Sequence, residues 1–315
     1  MKSAHLGVLG LLATTALLAA CTSDGAAPSV MGAASPASVT AAMAPATVDN
    51  FMLVDQNLEA HELYRLGDVK AVVLVTQANG DAVMRGLAPA LKALKASYAA
   101  KGVEFAMLNS SLKDSREAVI TEAKSAGYDA PVLLDVNQLV GEQLGVTRSA
   151  EVVVVNPKTW TVVYRGAFNA KSTADALEAV IAGKPVQTAS AVSRGAVIAF
   201  PERGATKISY AKDVAPILEA KCVACHQEGG IGPFAMTNYE MVKGFSPMIR
   251  EVLRTDRMPP YHADPHVGKF SDSKNLSSAE IKTLVHWIEA GAPRGDEPDP
   301  LGAVKRVAQE WPLGK

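Results

Sequence analysis

Ala71-Val72-Val73-Leu74-Val75, then Asp81 to Ala100, then Val103-Glu104-Phe105-Ala106-Met107-Leu108: these three runs decide how the first half of the chain is read. The first is apolar throughout and rich in β-branched residues, the pattern of a strand buried on both faces. The second places Leu87, Leu91, Leu94 and Tyr98 along one side of a helix that Asp81 caps. The third is again a strand, so the three make a parallel-type crossover unit. Further along, Ser115 to Ala126 reads as a helix, Val132-Leu133-Leu134 as a strand and Asn137 to Leu144 as a short helix. Glu151 to Val155 and Thr161 to Tyr164 are strands joined by the turn Asn156-Pro157-Lys158. Ser172-Thr173-Ala174-Asp175 is expected to cap a last helix, which Gly183 and Pro185 end. The expectation is an α/β layered domain over residues 47–186.

The full chain has 315 residues, enough for two ordinary domains. Its 31 basic and 32 acidic residues leave a net charge of -1, which offers no electrostatic basis for binding nucleic acid. Met1 to His5 is a weakly basic head, and Leu6 to Ala20 is an apolar run too short to span a bilayer. Leu18-Ala19-Ala20-Cys21 resembles a bacterial lipobox, which implies an export signal over 1–21 and lipidation of Cys21. The alternative is an ordinary cleaved signal ending at Ala20. With Thr22 rather than aspartate next, the resemblance points to the periplasmic side of the cell envelope, as an outer-membrane lipoprotein. Residues 22–46 are rich in Ala, Ser, Pro, Thr and Gly and read as a flexible tether; 187–207 read as a linker.

The other two of the three cysteines lie in Cys222-Val223-Ala224-Cys225-His226. Two thiols at this spacing can add across both vinyl groups of one haem, and the adjacent histidine can ligate the iron. Val214, Ile217, Leu218 and Cys222 share one helical face, with Pro216 in the first turn, so the pair closes a helix. Two rivals remain: a zinc half-site completed by His262 and His266, and a thiol redox pair, which would open a helix. The second axial ligand is assigned to Met258 in Arg257-Met258-Pro259-Pro260-Tyr261-His262, with His262 as the chief rival. Helices are expected over Ser246 to Leu253, with Ser246 as N-cap, and over Ala279 to Ala290, with Ser277 and Glu280 as a capping box. Met236, Met241 and Met248 read as core fillers, and Trp287 as a haem neighbour or ordinary core. The order of helix, attachment site, helix, methionine loop and closing helix is that of small cytochromes c. An all-α domain similar to class I cytochrome c is therefore expected over 208–296, followed by a tail over 297–315.

Residues 47–186 resemble a redoxin domain of the thioredoxin fold. That family carries a cysteine where the 71–75 strand hands over to the next helix, and a cis-proline before the strand that begins at Glu151. Here those places read Gln77-Ala78-Asn79-Gly80-Asp81-Ala82-Val83-Met84, without cysteine, and Ser149-Ala150. The resemblance thus implies a degenerate redoxin domain kept for docking or spacing. The second half resembles bacterial lipoproteins that fuse a redoxin domain to cytochrome c. The matching stretches are Asp213 to Leu218, Gly229-Gly230-Ile231-Gly232-Pro233-Phe234, Met258 to Pro265 and Leu284 to Pro293. Longer relatives continue past a Trp311-Pro312-Leu313-Gly314-like segment into a copper type II monooxygenase-like domain, so this chain is expected to be the electron-delivering part or a shortened form. The resemblance implies a lipid-anchored electron-transfer protein with one covalent haem c. Its partners would be redox donor and acceptor proteins, among them a copper monooxygenase-like domain or protein. The alternatives are a haem- or thiol-dependent peroxidase or redoxin, and a haem-based sensor.

Overall fold

A short antiparallel hairpin, β1 (Met52–Val54) and β2 (Ala60–Glu62), precedes the layer that the apolar runs foretell. In the computed structural model, residues 47–188, 190–204, 207–260, 270–271 and 273–304 are described. The expected export signal, the tether, Cys21, His262, His266 and the Trp311 segment lie outside the described residues. After the hairpin come β3 (Ala71–Gln77), α1 (Ala82–Ala99), β4 (Val103–Asn109), α2 (Arg116–Ala126) and β5 (Val132–Leu134). Then follow α3 (Leu139–Gln143), β6 (Glu151–Asn156), β7 (Thr161–Ala167) and α4 (Ala170–Ile181). The strands lie in the order β5-β4-β3-β6-β7, with β3, β4 and β5 parallel and β6 and β7 antiparallel to their neighbours. The central set β4-β3-β6-β7, closed by α4, is a thioredoxin-like fold, and β5 is an added outer strand.

Alternation along β3 explains the layering. Ala71, Val73 and Val75 pack with Met84, Leu91 and Leu94 of α1 and Leu177 of α4. Val72 and Leu74 face the other way, toward Phe51, Leu53, Val140 of α3 and Ile198. Asp81 caps α1 by accepting from the Val83 N–H at 3.0 Å, as its place in the sequence foretells. The cap of α4 differs from expectation: Asn169, not the Ser172 cluster, accepts from the Ser172 N–H at 3.0 Å. An asparagine before Ala170 reaches the first free N–H groups, so the helix begins earlier.

The stretch expected to be only a linker is bonded to this layer. Ala167 N–H donates to Ala191 O at 2.6 Å, Ser149 N–H to Ala196 O at 2.9 Å and Ile198 N–H to Thr147 O at 3.0 Å. Ser193 Oγ donates to Ser149 O at 2.6 Å, and Gln138 Nε2 to Ala199 O at 2.8 Å. Composition suggests a free tether here because alanine and serine carry little apolar surface. The attachment is made by backbone groups, which composition does not report.

In the second half, a wide turn at Tyr210–Val214 leads into α5 (Ala215–Lys221). After it come α6 (Tyr239–Gly244), α7 (Ser246–Arg254), α8 (Ser278–Glu289) and α9 (Pro300–Ala303). Ser277 and Glu280 form both halves of the capping box. Ser246 is not an N-cap. Helix α6 runs almost directly into α7, so Ser246 is helical and its hydroxyl donates to Lys243 O at 2.8 Å. The beginning of the expected tail is structured too: Asp299 accepts from Tyr210 OH at 2.9 Å and from Tyr239 N–H at 2.7 Å, and Leu301 enters the helical core.

The two halves share a seam. Leu139 of α3 belongs to the helical core, Arg250 Nη2 lies 2.6 Å from Asp49 Oδ2, and Arg254 Nη2 donates to Gln143 Oε1 at 2.5 Å. At Gly195 a Cβ would lie 2.2 Å from Ser149 O and 2.5 Å from its Oγ, so the 190–199 segment lies flat on the layer only with glycine there. Gly195→Ala is expected to destabilise the protein by about 1–3 kcal/mol. Chemical denaturation would show this, and an unchanged midpoint would mean that the segment is not bound in solution.

Candidate cofactor site

Helix α5 delivers the cysteines. It ends where the Cys222 N–H donates to Leu218 O at 2.9 Å. The Cys222 carbonyl then accepts from Cys225 N–H at 3.1 Å and His226 N–H at 3.0 Å, so these five residues form one tight turn. The following loop wraps back over it: Gly232 N–H donates to Cys225 O, and Met236 N–H to His226 O, both at 2.8 Å. At Gly232 a Cβ would stand 2.7 Å from His226 Nδ1. Glycine at this place therefore lets the loop close on the imidazole.

His226 is buried, with Nδ1 3.0 Å from Phe234 O. A carbonyl only accepts, so Nδ1 is the donor in this contact and Nε2 is the nitrogen left to face a ligand. The Phe234 ring lies 4.7 Å from the imidazole and stacks on Phe245 at 3.8 Å, which fixes the tilt of the histidine from one side.

Cys222, Cys225 and His226 line a cavity of about 910 Å³, within the range on the order of 300–1,000 Å³ that holds whole cofactors. Helix α7 contributes Ile249, Val252 and Leu253 to its wall, and α8 contributes Leu284. Met258 lines the same cavity with Pro259 and Pro260. Met236 and Met248, expected as core fillers, line it as well. Met236 is buried, but Met248 is 48% exposed, so α7 offers a second thioether at the rim. Trp287 does not line the cavity. Its Nε1 donates to Pro293 O at 2.9 Å and its ring stacks on Tyr210 at 5.7 Å, so it is core.

The geometry bears on the rival readings. Among the described residues, the one group of three metal-type side chains whose ligand atoms lie within 4.8 Å of one another is Asp55, Glu59 and His61. Cys222, Cys225 and His226 are not such a group, and His262 and His266, on which the zinc reading relies, lie outside the described residues. Burial, with the neighbouring Cys225 next in effect, pushes the Cys222 thiol up to about 11. A nucleophilic redox pair has the opposite shift.

At the end of the α/β layer where redoxins carry their thiol, the side chains are polar but not nucleophilic. Asp81 accepts a short hydrogen bond from Ser149 Oγ, joining the residue in the thiol's region to the one in the cis-proline's. Asn109 Nδ2 donates to Gln77 Oε1 at 2.7 Å and to Asp114 Oδ2 at 2.9 Å. The Asp81–Ser149 bond, Gly232 and the Phe234 carbonyl escape sequence reasoning, although the Gly229 to Phe234 run does signal a loop in close contact with something.

No known family pattern matches the chain. Among solved structures, a hypothetical protein of Sinorhizobium meliloti is 24% identical over 49% of this chain and 92% of its own, with TM-score 0.46. An uncharacterized conserved protein of Geobacillus kaustophilus is 23% identical over 49% of this chain and 90% of its own, with TM-score 0.43. A peroxidoxin of Mycobacterium tuberculosis is 21% identical over 44% of this chain and 94% of its own, with TM-score 0.37. The thioredoxin-like assignment rests on the strand order, not on these likenesses.

With no cysteine between Thr47 and Val186, the layer should show no thiol chemistry. The purified protein is expected neither to reduce insulin disulfides nor to consume alkyl hydroperoxide with thioredoxin as donor. Turnover that persists after Cys222→Ala and Cys225→Ala would contradict this.

Proposed function

We propose that the cavity holds one haem c, joined by thioether bonds to Cys222 and Cys225 with His226 on the iron, and that the protein is an electron carrier. The observation that carries this reading is His226: Nδ1 is tied to the Phe234 carbonyl, on the wall of an apolar cavity that both cysteines also line. A bound haem supplies one-electron redox chemistry. The chain's own part is to orient the imidazole, to keep water off the site with Ile249, Leu253 and Leu284, and to offer a sulfur from Met258. With Met258 helping to hold the group, its sulfur would keep small ligands off the iron, which favours a carrier over a peroxidase or gas sensor.

The α/β layer, lacking a thiol, serves for docking or spacing. We place the protein on the periplasmic side of a bacterial envelope, as an outer-membrane lipoprotein anchored through Cys21. Among the described residues no helix is long and apolar enough to cross a membrane. Its partners are a donor and an acceptor redox protein, a copper monooxygenase-like protein among the candidates.

The denatured protein should retain its haem and give haem-dependent peroxidase staining on a gel. Cys222→Ala with Cys225→Ala should abolish the stain, and haem that extracts from the unaltered protein into acidified organic solvent overturns the attachment. Met258→Ala should remove the weak near-infrared band of a thioether on ferric iron, admit carbon monoxide to the reduced protein and lower the potential. Met236→Leu, Met248→Leu and His262→Ala should leave the band in place; its loss in any of these reassigns the ligand.

A further inference from the structure

The two helices that wall the cavity also dock onto the α/β layer. Helix α7 turns Ile249, Val252 and Leu253 to the cavity, and Arg250 and Arg254 to the seam. Helix α8 turns Leu284 to the cavity, and Lys282 and His286 to the seam. There, His286 Nε2 lies 2.6 Å from Glu142 Oε2 of α3, and Lys282 Nζ lies 3.4 Å from Glu142 Oε1. Lys282 also reaches Glu202 at 3.1 Å and Gln138 Oε1 at 3.3 Å. Lys282 and His286 are buried, and the Glu142 side chain is only 9% exposed.

A seam built only for cohesion gains little from such groups, because burying an ion pair gives back most of its Coulomb attraction in lost hydration. Charges in this setting do act over longer distances than in water. The cluster is also within reach of solvent: a crevice of about 410 Å³, lined by Glu142, Arg203, His286 and Glu289, leads to the pair. His286 therefore faces Glu142 directly, with Lys282 and Glu202 beyond, and Arg203 and Glu289 across the crevice; Arg254 lies 3.9 Å from Glu289.

Resting on the haem reading, we propose that the α/β layer tunes the reduction potential through the Glu142–His286 pair, which makes electron loss from the cavity proton-linked. When the reduced protein passes its electron to a one-electron acceptor protein, the site gains one positive charge. A proton on His286 then becomes less favourable, and part of a proton leaves through the crevice to water. The protonated pair favours the reduced state, so the potential falls as pH rises.

The test uses the full-length, haem-bearing protein. The haem is first verified on the denatured chain from its pyridine adduct spectrum, and the potential is then titrated between about pH 5 and 8. The unaltered protein should show a potential that falls with pH; His286→Gln should lose most of that slope, and Glu142→Gln should move it to lower pH, both keeping haem and the near-infrared band. A flat potential in the unaltered protein, or a pH dependence that neither variant changes, overturns the inference and leaves the haem reading standing. A chain with no covalent haem overturns the haem reading and this inference with it. Should Glu142→Gln fail to fold, judged by circular dichroism, His286→Gln alone decides.

Discussion

The hydrogen bond between His226 and the Phe234 carbonyl is the constraint on which the second half depends. It forces the loop from Gly229 to Met236 to double back over the Cys222–His226 turn. That fold-back brings the Gly230 and Gly232 backbones so close that Cβ atoms there would lie 2.4 Å and 2.7 Å from their nearest neighbours. In exchange, the imidazole is held at one tilt with Nδ1 turned to the carbonyl. A site prepared in this way avoids an ordering cost when it is filled. Removing the carbonyl's partner would lose this hydrogen bond, at a cost of about 0.5–1.5 kcal/mol.

The α/β layer meets the helical half through several polar contacts. Leu139 is its main apolar contribution to the helical core, whereas Asp49, Glu142 and Gln143 each meet a charged side chain across the seam. Asp135 adds to this arrangement from beneath. It is fully buried, burial raises its carboxyl above the usual range, and it accepts from Ser110 Oγ at 2.6 Å and Gly141 N–H at 2.8 Å. These bonds fix the start of α3, the short helix that carries both Leu139 and Glu142 to the seam. A layer that has no thiol is therefore still built to present a particular surface to the cavity's helices.

Much of this was legible in the sequence. The strands of the layer and helices α1, α2 and α8 sit within a few residues of where periodicity and caps put them, because runs such as Ala71 to Val75 and the Ser277–Glu280 box are local signals. The hairpin β1–β2 was missed: with three residues in each strand it is too short for alternation to register. The binding of 190–199 to the layer was missed because it relies on backbone groups. At the cavity, spacing alone singles out Cys222, Cys225 and His226. The contribution of Met248 and the position of Trp287 depend on which way α7 and α8 are rolled, and that is set by contacts distant in the chain.

Tyr210 sits at the entrance to the helical half and Leu301 near its far end, yet both belong to one core, bridged by Asp299. This long closure governs the order of assembly. A chain that emerges from its N-terminus exposes Cys222 and Cys225 while the residues that complete their surroundings are still to come, and contacts so distant in sequence form late. Until Asp299 arrives to take the Tyr210 hydroxyl, the first helix of this half lacks its clasp, and the walls that α7 and α8 give to both thiols are not yet in place.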